Sequence, residues 1–195
     1  MAVRSRASAP HALDLTHSFL LSMPRLRDGD FGGTLIYLLD HGESGAFGVI
    51  VNQRMGMALG EVFEQLDIEA PIPAVAEEGV LRGGPVDPGH GLVLHPPGPR
   101  FETTRDFAGG VSLSSSRDVL EAIAAGRPPD KRMVLLGHAG WAPGQLEMEI
   151  RDNAWLTCDA DLGVIFDVPL PQRLGAAGSL LGVDMSRMAA EAGHA

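Results

Sequence analysis

The stretch LLGHAGWAPGQLEMEI, residues 135–150, gathers the most unusual residues of the chain. Apolar residues from 133 to 136 predict a short buried strand, and Gly137 and Gly140 mark backbone that bends or closely approaches another segment. Pro143 suits the first turn of a helix, where its missing N–H is not needed. The stretch therefore predicts a strand, a tight turn and a helix, and we expect the other elements to be arranged around that corner.

The predicted helix has an apolar face and a polar face. Leu146 and Ile150 fall one turn apart on the apolar face. Gln145, Glu149 and Asn153 recur at a spacing of four and line the polar face. The imidazole of His138 and the indole of Trp141 stand just before the helix, so several hydrogen-bonding groups are expected to meet at this corner.

Length and composition predict a single globular domain. The chain has 195 residues, of which 45% are hydrophobic and 21% charged, and these values are ordinary for a protein with a substantial core. Its formal net charge is −10, and no cluster of Lys or Arg stands out beyond Arg4 and Arg6. Because phosphate contacts supply most of the affinity for nucleic acid, this charge argues against direct DNA binding.

Cysteine usage and hydropathy predict a reducing, aqueous compartment. The single cysteine, Cys158, has no internal disulfide partner. No apolar run approaches the roughly 18 residues of a membrane helix, and no secretory apolar region follows Arg4 and Arg6. We therefore expect a soluble cytoplasmic protein that has no membrane partner.

Two apolar runs predict the centre of a β-sheet. Residues 34–39 and 46–51 are apolar on both faces, and the linker 41–45 suits a hairpin. An earlier run, residues 17–23, predicts a strand that stops at Pro24. Further strands are expected at 80–85, 91–95, 101–104, 111–113 and 154–157, with a Pro/Gly/Asp turn at 85–91.

Helices are predicted where apolar residues recur with a period near 3.6. The core stripe of the first helix consists of Leu59, Val62, Phe63 and Leu66. Further helices are expected at 117–125, 160–166 and 170–181, and an irregular connection at 71–78. Residues 1–12 and 189–195 lack periodicity, so we expect them to be tails flanking one domain at 13–188.

Histidine, serine and cysteine patterns predict no catalytic or metal site. None of the seven histidines pairs with another at a spacing that places two ligands on one face, although His95 and His138 could meet at predicted strand ends. The serines at 114–116 are better explained as a turn and a helix cap than as a nucleophile. Asp159 is expected to raise the pKa of the adjacent Cys158 thiol. We predict no catalytic residue, no metal ligand and no cofactor.

Candidate ligand-binding residues begin with Arg82, Gly83 and Gly84. The guanidinium and two unhindered backbone N–H groups could bind an anion such as a carboxylate or a phosphate. Alternatively, the two glycines form a structural corner, and Arg82 pairs with an acid such as Glu149.

The remaining candidate residues are His138, Trp141, Gln145 and Glu149. They could hold a ligand, with Trp141 as a wall on which it stacks. Alternatively, Trp141 and Trp155 are core aromatics, and Glu149 accepts their indole N–H groups. The sequence leaves both interpretations open.

Several motifs resemble those of one family of bacterial proteins. They are HSFL at 17–20, Met-Pro at 23–24, GVIVN at 48–52, GGP at 83–85, GLVLH at 91–95, SSRD at 115–118, GW at 140–141, GQLE at 144–147, NAWL at 153–156 and Ala-Asp at 160–161. In this order and spacing, the chain resembles the YqgE/AlgH family over about residues 13–188.

The resemblance implies a single-domain α+β fold in which a mixed, bifurcated β-sheet is surrounded by helices. It also implies a cytosolic protein, and some family members carry the label of transcriptional regulator. No catalytic residue is carried over from the family.

We therefore expect a non-enzymatic regulatory or binding protein whose corner meets a small ligand or a protein partner, because α/β sheets place crevices at strand ends. One alternative is a transcriptional regulator that acts on DNA directly. Another is a hydrolase or transferase that uses Glu149 as its base.

Overall fold

The computed structural model describes residues 14–26, 29–185 and 188. The predicted tails, residues 1–12 and 189–195, lie outside the described residues. The strands are β1 (Ser18–Ser22), β2 (Leu35–Gly42), β3 (Gly45–Ile50), β4 (Arg54–Ala58), β5 (Gly79–Arg82), β6 (Val86–His95), β7 (Arg105–Phe107), β8 (Val111–Ser114), β9 (Met133–Trp141) and β10 (Trp155–Asp159). The helices are α1 (Leu59–Gln65), α2 (Pro73–Ala76), α3 (Arg117–Ala124), α4 (Gln145–Arg151), α5 (Leu162–Phe166) and α6 (Arg173–Leu180). No helix in this part of the chain is long and apolar enough to cross a bilayer.

The sheet forks at β9. Its main path runs β10-β1-β2-β3-β9-β6-β8-β7, and a short branch formed by β4 and β5 joins it at β9. The β5 and β9 strands are parallel, whereas the other strand pairs are antiparallel. The predicted α+β fold with a mixed, bifurcated sheet is therefore confirmed.

Three apolar clusters fill the space between the curled sheet and its helices. The central core includes Phe19, Leu21, Leu35, Tyr37, Val49, Leu92, Leu94, Met133, Leu135, Val164, Ile165 and Ala177. The α3 core includes Leu59, Val62, Phe63, Val80, Val93, Val119, Ile123 and Val134. The α4 core includes Leu20, Ile36, Leu38, Ile50, Ala139, Trp141, Leu146 and Trp155. The central core joins strands from both branches, while the other two lie beneath helices on the outer faces.

Gly137 reverses the direction in which β9 presents its side chains. Before it, Met133 and Leu135 pack into the central core. After it, Ala139 and Trp141 pack into the α4 core, although side chains two residues apart normally share a face. Gly137 has a left-handed φ of 74°, and an irregular residue of this kind re-aims the rest of a strand. One strand thereby serves two layers of the molecule.

Two further glycines allow β5 to approach β9 at the fork. A side chain at Gly83 would clash with the carbonyl oxygen of Gly137, and one at Gly84 would clash with the backbone carbonyl of His138. On the β9 side, a side chain at Gly137 would clash with the carbonyl oxygen of Gly84, so the close approach predicted for Gly137 is confirmed. At Gly140, in contrast, an added side chain would meet only ordinary van der Waals contact.

Some predicted boundaries differ from the structure. The segment 85–91 is an irregular part of β6 rather than a separate turn. The strand predicted at 101–104 lies a few residues later, at β7, where it pairs with β8. The connection 71–78 contains the short helix α2, and Leu66, a predicted core residue, is 37% exposed.

Candidate functional site

The carboxylate of Glu149 holds the predicted corner together. Its Oε2 accepts hydrogen bonds from the indole N–H groups of Trp141 (2.9 Å) and Trp155 (2.8 Å). Its Oε1 accepts a hydrogen bond from the amide of Gln145 at 3.0 Å. Both tryptophans are buried, so two buried donors depend on one carboxylate. Glu149 is the indole acceptor that one of the two interpretations predicted, and we call these four residues the tryptophan corner.

The loop before β2 covers the tryptophan corner and reaches Arg82. The ring of Phe31 stacks on Trp141 at 6.1 Å between centroids and meets Trp155 edge-on at 5.5 Å. The adjacent Asp30 forms an ion pair with Arg82. Arg82 therefore pairs with an acid, as one interpretation predicted, but that acid is Asp30 and the suggested partner Glu149 is wrong.

The backbone around Gly83 is used in the fork of the sheet. Its N–H donates to the carbonyl of Leu136 at 2.8 Å, and its own carbonyl accepts the N–H of Ile50 at 2.8 Å. One of the two backbone donors suggested for an anion is thus engaged within the protein. Arg82 keeps 31% of its side chain exposed, and the ligand-binding role of Arg82, Gly83 and Gly84 stays a prediction.

His138 lies on the opposite face of β9 from Trp141. Its ring centroid is 5.0 Å from that of Phe47, a residue that packs against the central core. Burial lowers the pKa of His138, the nearby Asp87 carboxylate raises it, and the His90 imidazole lowers it again. Of the candidates His138, Trp141, Gln145 and Glu149, the fold therefore separates His138 from the other three, which belong to the tryptophan corner.

His95 and His138 do not meet. The register of β6 and β9 pairs Leu94 with Met133 and Val86 with His138. His95 therefore lies near the start of β9, and a strand rises about 3.3 Å per residue, so roughly 16 Å of strand separates the two positions. Within residues 14–26, 29–185 and 188, no three His, Cys, Asp or Glu side chains form a group that could hold a metal ion.

Cys158 has the environment of an inert thiol. Burial raises its pKa, and the neighbouring carboxylate of Asp159 raises it further. The direction predicted from the sequence is confirmed. A thiol that stays protonated near neutral pH is a poor nucleophile.

A groove of about 310 Å³ lies between α1 and α3 above the α3 core. We call it the α1–α3 groove. Its lining residues are Val62, Gln65, Leu66, Gly89, Gly91, Val93, Ser114, Ser115, Ser116, Arg117, Val119, Leu120 and Leu136. Most of the surface they present is apolar.

A second cavity, of about 410 Å³, lies where β5 and the start of β9 meet the segment that leads into α6. Its lining residues are Arg54, Leu59, Glu78, Gly79, Leu81, Arg132, Met133, Val134, Phe166, Asp167, Val168, Pro169, Leu170 and Arg173. Because three of them are arginines, we call it the arginine cavity. It shares no lining residue with the α1–α3 groove.

Neither cavity was predicted from the sequence. The walls of each come from segments that are far apart in the chain, so no local motif marks them. One signal was present in Leu66, whose place in an apolar stripe predicted a buried contact that the fold does not supply.

Comparison with known proteins adds the family context. A family model described as AlgH-like, DUF179, matches residues 19–186. Similar relatives include the UPF0301 protein AlgH of Pseudomonas aeruginosa PAO1 (47% identical), a UPF0301 protein of Stutzerimonas stutzeri (47%) and one of Pseudomonas syringae pv. tomato (46%). Each alignment spans 182 residues, which is 93% of this chain and 96% of the relative.

Two solved structures share the fold. The solution structure of the AlgH protein from Pseudomonas aeruginosa aligns with a TM-score of 0.78 and 45% identity, covering 98% of this chain and 100% of the other. The crystal structure of a protein from Corynebacterium diphtheriae aligns with a TM-score of 0.59 and 19% identity, covering 85% and 94%, which shows a common fold alone. None of these names states a ligand or a reaction.

Proposed function

We propose that this chain, which belongs to the AlgH-like family, is a non-enzymatic binding protein that holds a small, uncharged, largely apolar molecule in the α1–α3 groove. The observation that carries the proposal is the groove itself, a concavity of about 310 Å³. Sites for small molecules are concave, mostly apolar and roughly 300–1,000 Å³ in volume. The groove lies at the lower end of this range, so the proposed ligand is compact.

The walls of the groove favour an apolar ligand. Val93 and Val119 are buried in the α3 core and present apolar atoms to the groove. Leu66 stands at the C-terminal end of α1 and is 37% exposed. A ligand that covered this surface would gain roughly 25 cal/mol for each Å² of apolar area removed from water.

The charges at the groove favour an uncharged ligand. Arg117 is the charged residue among the described lining residues, and its guanidinium already pairs with Glu121 at 2.7 Å. It also donates to the backbone carbonyls of Leu66 and Asp67, which ties the end of α1 to the start of α3. A charged ligand would therefore lose hydration without gaining a free partner of opposite charge.

A glycine at the groove offers a direct test. A side chain at Gly91 would meet only Leu136, at 4.0 Å, so the variant Gly91→Leu fills the groove without a backbone clash. Gly98→Leu is the matched control, because a side chain at Gly98 would meet nothing within 4 Å and Gly98 does not line the groove. Both variants are expected to fold.

The experiment titrates each protein with neutral compounds such as indole and cyclohexanol while backbone amide resonances are recorded by NMR. We expect saturable shifts at Ser115 and Leu120 in the native protein and in Gly98→Leu, and their loss in Gly91→Leu. Equal binding by Gly91→Leu, or no saturable binding by any compound, would overturn the proposal.

Two other functions compete with this proposal. One is ligand binding at the residues predicted from the sequence, and the other is direct DNA binding. Gln145 is exposed and Arg82 is partly exposed, so a ligand at the predicted corner would shift the Gln145 side-chain amide in the same titration. For DNA, the net charge of −10 supports an absence of binding, and a mobility-shift assay at low salt is expected to show no sequence-specific complex.

A further inference from the structure

Arg173 carries a buried positive charge that forms no ion pair with a carboxylate of the described residues. It is 8% exposed at the start of α6. Its Nε donates to the carbonyl of Val168 at 3.0 Å and its Nη1 to that of Val51 at 2.6 Å, and Nη1 also lies 2.9 Å from the sulfur of Met133. These partners are all uncharged, and the ion pairs among the described residues do not include Arg173. Burying a charge without a counter-charge is costly.

Arg132 brings an unsatisfied donor to the same cavity. One end of its guanidinium pairs with Glu78 and also donates to the carbonyl of Pro129 at 2.9 Å. Its Nε is buried and has no hydrogen-bond partner among the described residues. Buried polar groups are nearly always hydrogen-bonded, so an orphaned N–H calls for an acceptor that the chain itself does not provide.

Arg54 adds a third positive charge at the exposed edge of the cavity. Its guanidinium lies over Gly79, where any side chain would collide with it. Two acids also line the cavity, but each already has a cationic partner: Glu78 pairs with Arg132, and Asp167 pairs with Lys131. The positive charges of Arg54 and Arg173 are therefore not neutralised by the acids around them.

We infer that the arginine cavity binds a small oxyanion, the carboxylate or phosphate group of a small metabolite. Arg173 supplies the buried charge, the Nε of Arg132 supplies an unpaired donor, and Arg54 adds a positive charge at the exposed edge. Guanidinium groups suit this task because their planar arrays of donors match the oxygens of carboxylates and phosphates. The volume of about 410 Å³ leaves room for the rest of such a molecule.

A purely structural role explains less of this arrangement. Arg173 does brace two backbone carbonyls through its Nε and Nη1. The contacts of Arg173, however, do not involve the Nε of Arg132, which has no hydrogen-bond partner among the described residues. An oxyanion in the cavity gives this donor an acceptor and gives the buried charge of Arg173 a partner of opposite sign.

Calorimetric titration at constant ionic strength tests the inference with inorganic phosphate and with succinate as the two probes. The variant Arg54→Ser removes the exposed arginine of the cavity, and the control Arg105→Ser removes one that is 68% exposed elsewhere. Each variant lowers the net charge of the protein by one unit. An effect of net charge alone would therefore weaken probe binding equally in the two variants.

We expect saturable binding of at least one probe by the native protein and by Arg105→Ser. Binding by Arg54→Ser should be about three- to tenfold weaker, as expected for the loss of one partly exposed charge-assisted contact. The tighter probe identifies which oxyanion the cavity prefers. Binding of neither probe, or equal weakening in the two variants, would overturn the inference, and neither result bears on the α1–α3 groove.

Discussion

The tryptophan corner and the arginine cavity are both built from buried polar groups, but they are completed differently. In the corner, the carboxylate of Glu149 accepts two indole N–H groups and one amide. In the cavity, the Arg173 guanidinium meets only uncharged acceptors, and the Nε of Arg132 has no partner among the described residues. The corner is closed by the chain itself, whereas the cavity is left open.

This difference shows how a scaffold can be distinguished from a binding site. A buried donor is stable when its acceptor is built into the fold, and such a network then fixes the architecture. A buried donor without an acceptor costs stability and persists where an outside molecule can complete it. The abundance of Gly and Trp in residues 135–150 therefore marks the structural centre, and it does not by itself mark a ligand site.

The largest effect is expected from Glu149→Ala, which removes the acceptor for the buried indoles. We expect a loss of about 2–5 kcal/mol in the free energy of unfolding, because each unsatisfied buried donor costs roughly 1–3 kcal/mol. Urea denaturation followed by tryptophan fluorescence measures this loss. The control Glu64→Ala removes an exposed glutamate on α1 and should change stability by less than about 0.5 kcal/mol. An equal loss of unfolding free energy in the two variants would show that the tryptophan corner is not a closed structural network.

A somewhat smaller effect is expected from Gly84→Ala at the fork of the sheet. The added methyl group would clash with the backbone of His138, and Gly84 has a positive φ of 156°. Overpacking of this kind costs about 1–3 kcal/mol. Thermal unfolding by circular dichroism compares it with Gly89→Ala, whose added methyl group would meet nothing within 4 Å. A stable Gly84→Ala with an unchanged spectrum would contradict the close approach of β5 and β9.

The smallest effect is expected from Arg82→Ala, which breaks a pair that is 31% and 61% exposed. Partly exposed ion pairs contribute about 0–1 kcal/mol, so the urea midpoint should move only slightly. A fall in the urea midpoint as large as that of Glu149→Ala would show that the loop of Asp30 and Phe31 depends on this ion pair. Arg82 would then belong to the same closed network as Glu149.

Much of the architecture could be predicted from local patterns in the sequence. Continuous apolar runs predicted β2 and β3, which are buried on both faces, and the spacing of Leu59, Val62 and Phe63 predicted α1. Gly137 at the fork was correctly expected to approach another segment closely. These features depend on residues that are near one another in the chain.

Features that depend on distant residues could not be predicted in this way. Asp30 pairs with Arg82 from a position 52 residues away, and nothing near either residue indicates the contact. The reversal at Gly137 depends on one left-handed residue, and it turns Ala139 and Trp141, instead of His138, toward the α4 core. The arginines of the cavity come from β4, the residue just before β9 and α6, and only the fold brings them together.

One NMR titration tests the contrast between the two regions most directly. Inorganic phosphate is added at constant ionic strength while the indole N–H resonances of Trp141 and Trp155 and the Nε–H resonances of Arg132 and Arg173 are followed in the same sample. We expect saturable shifts of the two arginine resonances and no change in the two indole resonances. Shifts of the indoles with unmoved arginines would contradict it.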